Sequence, residues 1–531
     1  MSVNVLLGVG GTGAKIVESA LYLFLAGLGP NKVTVGLIDQ DKANGNVSRT
    51  CDLVTDMIRF RKDWGTGKNQ LDWNTSEVQG GAVLGRVDIE PLFPGNPHWA
   101  PDPNGNTNLA TVLNQGRMSD EEKLLFDMLF TPGPVEQEMP LTQGYQGRAH
   151  VGSAAMLASL EQDTGGFCTR ITQLIQLALQ GQEVRIFLAG SVFGGTGAAG
   201  FPTLARAINR IREEVLGAQK NRVRICGALM LPYFGFKDPE NPFANVVKAK
   251  DLLPQARAAL EYYDELLKTE AVFDELYVAG WDQNFQLGYH EPGKAEQKNP
   301  PLPPELLSAL AAVEFLEHGG GSDDGTTVFV SARSDAGGIG WADLPFKRPE
   351  TRDPAYLRVG QLLRFALYWR TRVEPVIDQR SMLGGLKDPW KKLAGDTDFK
   401  TETPDDRTAL NELMGRTLKW AAAMHLFGTR AIPQGARFDI WDTRALEKRI
   451  DVDKPADPVD LYDVLSGEQL SSAFNALVTV EGRKERWRTA GDLFEDLHKP
   501  QSASARNAGF GRIVAAVHNA ARASLPQENQ A

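Results

Sequence analysis

Short apolar runs alternate along the chain with longer stretches in which apolar residues recur every three or four positions, and glycine-rich turns stand between them. Residues 3–7 (Val-Asn-Val-Leu-Leu) are one such run. A glycine-rich turn from Gly8 to Gly13 follows, then a stretch over 14–27 with Ile16, Val17, Ala20, Leu21 and Phe24 on one helical face. Residues 33–38 form a second run, closing on Asp39-Gln40-Asp41. Strand, glycine turn, helix and strand in this order predict a parallel sheet with helices on both faces. The pattern returns with a strand over 184–189, a second glycine-rich turn from Gly190 to Gly200, a helix over 202–216 and a strand over 223–231. A helix over 251–268 and a strand over 273–279 continue it. PPELLSALAAVEFLEH starts behind Pro303-Pro304 and is apolar on several faces, which predicts a helix buried in the middle of the protein. Beyond it, 326–332 reads as a strand, 354–378 as a long helix, and 386–531 as mostly helical, ending in a polar, disordered tip. Between 44 and 143 the periodicity fades. Pro, Gly and Asn cluster over 91–107, predicting a partly irregular insertion on the sheet edge.

The length of 531 residues is enough for two or three packed domains. A formal net charge of −10 and the lack of any Lys/Arg run argue against nucleic-acid binding. Cys51, Cys168 and Cys226 are far apart, show no CxxC spacing and are odd in number. That argues against a zinc site and a disulfide framework, and fits a reducing cytoplasm. The start MSVNVLLGVGG has no basic leader region or cleavage signature. The most apolar helix, Ile16 to Leu28, is too short to span a bilayer and has Lys15 and Glu18 at its start, so no membrane segment is expected.

The chemistry lies in the two glycine turns. In LLGVGGTGAK a turn between strand and helix brings backbone close to a phosphate, and the helix start offers free N–H groups and a positive dipole end. Gly8, Gly10, Gly11, Thr12, Gly13 and Lys15 are its candidate contacts. It is not a Walker A loop, because Lys15 does not directly follow the last glycine and no Ser or Thr follows it. LAGSVFGGTGAAG is placed in the same way, with Gly194, Gly195, Thr196, Gly197 and Ala198 as candidates. A dinucleotide oxidoreductase needs one such loop and an acidic residue on the ribose. A pair suggests two loops converging on one phosphate chain, with the Thr196 hydroxyl available to it.

On these motifs the chain resembles the tubulin/FtsZ superfamily over roughly residues 1–345, most closely its bacterial tubulin-like group. Gly8–Gly13 looks like the first phosphate loop. GGTGAAG at Gly194 to Gly200 resembles the signature GGGTGSG, with Phe193 at the first glycine, Ala198 at the Ser/Thr and Ala199 at the last glycine. GYQGRAHVGSAA resembles the third loop, around the terminal phosphate, and implies contacts from Gly147, Arg148 and Ala149, with His150 nearby. Asp39 and Asp41 fall where the second loop carries acidic residues, Asp41 as a magnesium ligand. LMLPYFGF resembles the turn near the ribose and implies Pro232. PPELLSALAAVEFLEH resembles the central helix.

Where the family reads guanine with an Asn, Trp281 stands, and Asp282 or Asn284 serves with a small shift; near the start of the central helix Glu305 is the nearest residue of that kind. The acidic residue that completes the next subunit's site is implied to be Asp323 or Asp324 in GGGSDDG, or Asp343 in GGIGWADLP. The resemblance thus implies an α/β fold: a Rossmann-type parallel sheet, a central helix, a smaller α+β activation domain and a helical C-terminal extension. The expected division is 1–300 for the nucleotide-binding domain with an insertion at about 51–143, 301–385 for the central helix and activation-type domain, and 386–531 for the extension. It implies GTP/GDP and Mg2+ as cofactors and a cytoplasmic GTPase that self-associates head to tail, even into a filament, with further protein partners on the C-terminal extension. Two alternatives stand beside it. One is a non-hydrolysing nucleotide sensor or scaffold. The other is a ThiF-like adenylating enzyme, which LIDQDKANGNVSRT resembles but which gives GGTGAAG no role and requires cysteines that these three do not supply.

Overall fold

The computed structural model describes residues 2–65, 69–73, 84–101, 108–163, 165–236, 249–281, 285–287, 298–319, 325–333, 339–341, 344, 349–377, 393, 405–430, 438–447, 467–477, 490–498, 507–523 and 525. It is a mixed α/β protein built on one parallel sheet. The strands are β1 (Ser2–Val9), β2 (Lys32–Ile38), β3 (Asp88–Pro91), β4 (His98–Trp99), β5 (Glu183–Ser191), β6 (Val223–Met230), β7 (Phe234–Phe236), β8 (Glu275–Trp281), β9 (Phe285–Leu287) and β10 (Thr327–Arg333). Seven of them run in the order β10-β8-β6-β5-β1-β2-β3, with β4 pairing further along β2, while β7 and β9 form a separate two-stranded ribbon. Every pairing in the main sheet is parallel; Val5 faces Thr34 on one side and Ile186 on the other. Helices cover both faces, so the central strands are buried beyond their first residues and read there as continuous apolar runs, as in Leu6-Leu7 and Ile186-Phe187-Leu188.

The order sets where the sheet reverses direction. From β1 the chain moves outward through β2 and β3, then returns to β5 and moves the other way. The reversal lies between β1 and β5, and in Rossmann-like sheets the crevice beyond the strand ends at that point receives the ligand. Both glycine turns leave from these two strands.

The helices start earlier than the sequence predicts. Gly10–Leu25 begins inside the first glycine turn, and Thr196–Leu216 begins inside the second, enclosing Pro202. Proline there reads as a first helical residue, which sets the expected start at 202, but the preceding glycines are already helical. The region 44–143 also holds more order than expected: helices Gly45–Gly65 and Asp120–Leu129 as well as β3 and β4. Leu53, Met57, Phe60 and Trp64 give Gly45–Gly65 a buried stripe at helical spacing. The two short strands take their conformation from pairing with β2 rather than from propensity.

Helix Pro303–His318 is buried from Pro303 to Leu316, as its unpatterned apolarity predicts, between helix Gly10–Leu25, the sheet and helix Asp405–Arg430. The next strand, β10, continues the main sheet beside β8, although the expected division at residue 300 assigns it to a second unit. Helix Asp405–Arg430 packs on Gly45–Gly65, and Phe510–Ala523 packs on Pro349–Tyr368. Trp420 stacks on Tyr22 at 4.9 Å between ring centroids, so apolar contact continues from the sheet into the C-terminal helices. Among the described residues, no helix is long and apolar enough to cross a membrane.

Candidate functional site

The two glycine loops touch. Gly10 has φ +73°, and a Cβ built on it would lie 2.8 Å from the Gly197 amide nitrogen. Only glycine allows both that conformation and that approach. Gly8 and Gly13 back onto each other, and a Cβ on Gly13 would fall 2.4 Å from the Ala189 carbonyl oxygen of β5. Gly197 packs in the same way on Ser191 Oγ, at 2.8 Å from the built Cβ. The third loop closes over the second: a Cβ on Gly195 would meet Tyr145 Cβ at 3.0 Å and Gln146 N at 3.1 Å. Gly194 differs from these, with φ +83° and nothing within 4 Å of its built Cβ.

Three helices therefore begin beside one another, Gly10–Leu25, Ala149–Glu161 and Thr196–Leu216. None has a side-chain cap on its first N–H groups, and none carries an acidic residue in its first turn. Helix starts in this state present uncapped donors and positive dipole ends, which suits an anion.

A fourth segment, the turn after β2, joins them. It consists of successive side chain-to-backbone turns: Asp41 N donates to Asp39 Oδ1 at 3.0 Å, Ala43 N to Asp41 Oδ1 at 2.9 Å, and Asn46 N to Asn44 Oδ1 at 3.0 Å. Asp39 is buried, and both of its oxygens are engaged. Thr196 Oγ1 donates to Oδ1 at 2.8 Å and Asn44 Nδ2 to Oδ2 at 2.9 Å. Burial pushes the Asp39 carboxyl up to about 7, against the pull of these donors. Thr196, expected to offer its hydroxyl to phosphate, thus ties the second loop to the turn after β2. Asp39 is likewise committed inside the protein, which leaves it unsuited to gripping a ribose. Asp41 is buried as well, and its Cβ lies 3.4 Å from a Cβ built on Gly144. In this turn Gln40 Oε1 and Asn46 Oδ1 are buried acceptors with no hydrogen-bond donor among the described residues.

In the third loop, Gly144, Gln146 and Gly147 all have positive φ, of 74°, 46° and 78°, a tight path that stores strain at Gln146. Arg148 is directed at Met139 Sδ and the Gln146 carbonyl, each at 3.4 Å, with Glu136 at 4.0 Å. His150 is exposed, pairs with Glu136 at 3.0 Å and stacks on Phe130. Ala149 opens the helix behind the loop.

Lys15 faces away from the glycine turn. It forms an ion pair with Glu305 at the start of the buried helix, both side chains almost fully enclosed. Glu305 Oε1 also accepts from Tyr233 Oη at 2.5 Å, and Oε2 accepts from Leu302 N at 2.9 Å. Thr12 hydrogen-bonds the Tyr233 hydroxyl, so the first loop is linked to helix Pro303–His318. Burial pulls the Lys15 ammonium down and pushes the Glu305 carboxyl up, and their mutual attraction opposes both. Lys15 is therefore part of the structure beneath the loop rather than a group at its mouth. Phe193, standing at the signature's first glycine, packs edge-on against Tyr233 and Phe234. Pro232 is buried just before that pair.

Sequence reading missed Asn44, Asn46 and Tyr233 at this site. The two asparagines had a visible signal, since polar residues of this kind before an apolar period mark a helix start. Trp281 ends β8, buried against Phe285 at 6.0 Å between ring centroids. Asp282, Asn284, Asp323, Asp324 and Asp343 lie outside the described residues. No protein-family profile matches the chain, and no curated protein matches it either.

Proposed function

We propose that this chain is a tubulin/FtsZ-like nucleotide-binding protein. In this reading it holds the phosphates of GTP or GDP, with Mg2+, beyond the ends of β1 and β5, and hydrolyses GTP on self-association. The observation that carries the phosphate reading is the meeting of two strand–glycine loop–helix junctions at the sheet's reversal, with the Gly10 Cβ position 2.8 Å from the Gly197 nitrogen and uncapped helix starts around them. The donor set fits a magnesium–nucleotide. Helix-start amides suit phosphate oxygens, while Asp41 and the unmatched amide oxygens of the turn after β2 are hard acceptors of the kind that hold Mg2+ or its waters. When bound, the ion offsets phosphate charge beside Asp39 and Asp41.

The guanine and hydrolysis parts rest on the resemblance. Trp281 lies two strands from β5, about 10 Å at the usual strand spacing. There a ring face accepts any base more evenly than a hydrogen-bonding Asn does, so GTP is preferred over ATP by less than about a thousandfold, roughly 4 kcal/mol. Asp323, Asp324 and Asp343 follow helix Pro303–His318 in the sequence, and a helix of that length spans about 24 Å from its start at Glu305 to its end. An acid so placed serves the next molecule in a head-to-tail stack.

Mass spectrometry of nucleotide released from the purified protein tests the ligand, with guanine nucleotide as the expected result. Specific GTP turnover should rise with protein concentration. Turnover that stays constant across a hundredfold dilution overturns the shared-site mechanism. Bound nucleotide with no turnover at any concentration leaves a scaffold or sensor.

A further inference from the structure

The turn after β2 carries two buried acceptors with no donor among the described residues, Gln40 Oε1 and Asn46 Oδ1, and Asn46 is the one beside the first glycine loop. Asn46 is 1% exposed and its Oδ1 has no donor. Asn44, two positions earlier, is fully used: its Nδ2 donates to Asp39 Oδ2 at 2.9 Å, and its Oδ1 accepts from Asn46 N at 3.0 Å. The Asn46 carbonyl is used too, accepting from Thr50 Oγ1 at 2.9 Å. Between these two asparagines, the side-chain oxygen of Asn46 is the one left over. The Asn46 amide group lies beside the first glycine loop, since a Cβ built on Gly11 would stand 3.4 Å from Asn46 Nδ2 and 3.0 Å from Asn44 Nδ2. Asn46 also lies in the first turn of helix Gly45–Gly65, whose start is a positive dipole end.

A buried acceptor without a donor is costly unless something donates to it when the protein works. Phosphate oxygens at neutral pH only accept, so phosphate alone does not satisfy Asn46 Oδ1. The neighbouring carboxylates Asp39 and Asp41 are further acceptors, and they repel a polyanion that arrives without a cation. A magnesium ion resolves both problems, because it carries positive charge and keeps several waters whose hydrogens point outward. We infer that Asn46 accepts a hydrogen bond, through Oδ1, from water held by a magnesium ion that enters with the nucleotide's phosphates. Asn46 is then a positioning residue for the metal–nucleotide complex. This rests on the phosphate reading above.

The test is calorimetry of GTP binding to the full chain, in Mg2+ and in EDTA, for the wild type, Asn46→Ala and Asn46→Asp. Asn46→Ala should weaken binding about tenfold in Mg2+, the size of one lost hydrogen bond, and by less than about twofold in EDTA. Asn46→Asp keeps an acceptor at the same place and should bind in Mg2+ within about threefold of the wild type. Thermal unfolding without nucleotide checks the fold. If Asn46→Ala does not fold, Asn46→Asp decides, and loss of its magnesium-dependent affinity overturns the inference. Unchanged affinity of Asn46→Ala in Mg2+ also overturns it. An equal loss in both buffers does so as well, because the contact is then to a hydroxyl of the nucleotide. Wild-type protein that binds no GTP in either buffer overturns the phosphate reading, and this inference with it.

Discussion

The two glycine loops have similar compositions and opposite surroundings. In the first, the space a side chain would fill is already taken by protein: Gly8 by Gly13, Gly13 by the Ala189 carbonyl, Gly10 by Gly197. In the second, Gly195 and Gly197 are enclosed in the same way, but Gly194 opens at φ +83° onto space free of protein atoms. Most of the glycines therefore serve close approach between helix and strand, and Gly194 does not. A glycine-rich motif by itself does not distinguish these roles. Substitutions at enclosed glycines act on folding, and a substitution at Gly194 meets no such contact.

The largest expected effect comes from Gly13→Val. Its Cβ would sit 2.4 Å from a backbone oxygen, which cannot rotate away, so helix Gly10–Leu25 must leave β5. The loss should exceed about 4 kcal/mol, beyond ordinary overpacking, read from the denaturant midpoint. A variant that folds with wild-type stability would break the distinction between the loops.

Lys15 extends the structural character of the first loop. Lys15→Met leaves Glu305 charged and buried without its partner, a loss of about 3 kcal/mol or more. The double variant Lys15→Met, Glu305→Leu should recover much of that loss, because removing both charges removes the unmet one. Equal losses in single and double variants would show that the pair acts through packing alone.

How far the molecule was legible follows from the same contrast. The buried parallel strands and helix Pro303–His318 are visible because burial on all sides leaves uninterrupted apolar runs. β3, β4 and helix Gly45–Gly65 were missed because pairing with β2 and a stripe diluted by charges decide them. Both glycine loops were found. What they do to each other was not, since the Lys15–Glu305 pair, the Thr196–Asp39 bond and the unmatched Asn46 join segments distant in sequence or depend on burial. Periodicity carries no information on such contacts.

Two buried groups titrate differently in the folded and unfolded chain across the range where the loops are compared, Asp39 at the site and His518 in the C-terminal helices. His518 is buried, with Nδ1 accepting from Gln361 Nε2 at 3.0 Å, and burial, helped by Arg522, lowers its pKa to about 3. The unfolded chain takes up a proton below the ordinary value of 6.5, while the folded chain does not until about 3. The His518 contribution to stability is therefore complete above 6.5 and falls as pH drops through that window, by about 1.4 kcal/mol per unit, or roughly 2 kcal/mol at pH 5. Relative to the wild type, His518→Gln should gain stability by that amount between pH 7 and pH 5, read as the difference in unfolding midpoint, while the Asp39 carboxyl, raised to about 7, adds the opposite slope to both proteins. The stability gap between Gly13→Val and the wild type should stay the same over that range, because the glycine contact carries no titrating group. A gap that changes with pH would tie the first loop to one of these two groups.

The smallest expected effect on folding is the most informative for the site. Gly194→Ala places a methyl group where nothing stands within 4 Å, so there is no clash to relieve. The remaining penalty is the left-handed backbone at φ +83°, about 1 kcal/mol for an L-residue. Thermal unfolding without nucleotide should show a loss of that size only. The methyl group nevertheless projects at the mouth of the second loop, beside the uncapped start of helix Thr196–Leu216, where phosphate oxygens need close access to backbone N–H groups. GTP affinity by calorimetry should then fall more than about tenfold, over 1.4 kcal/mol, exceeding the loss in stability. Gly195→Ala, whose Cβ meets Tyr145 and Gln146, should show the reverse order, with stability reduced more than affinity. If Gly194→Ala binds GTP as the wild type does, the opening at Gly194 faces only solvent, and the phosphates would have to lie against the first loop alone.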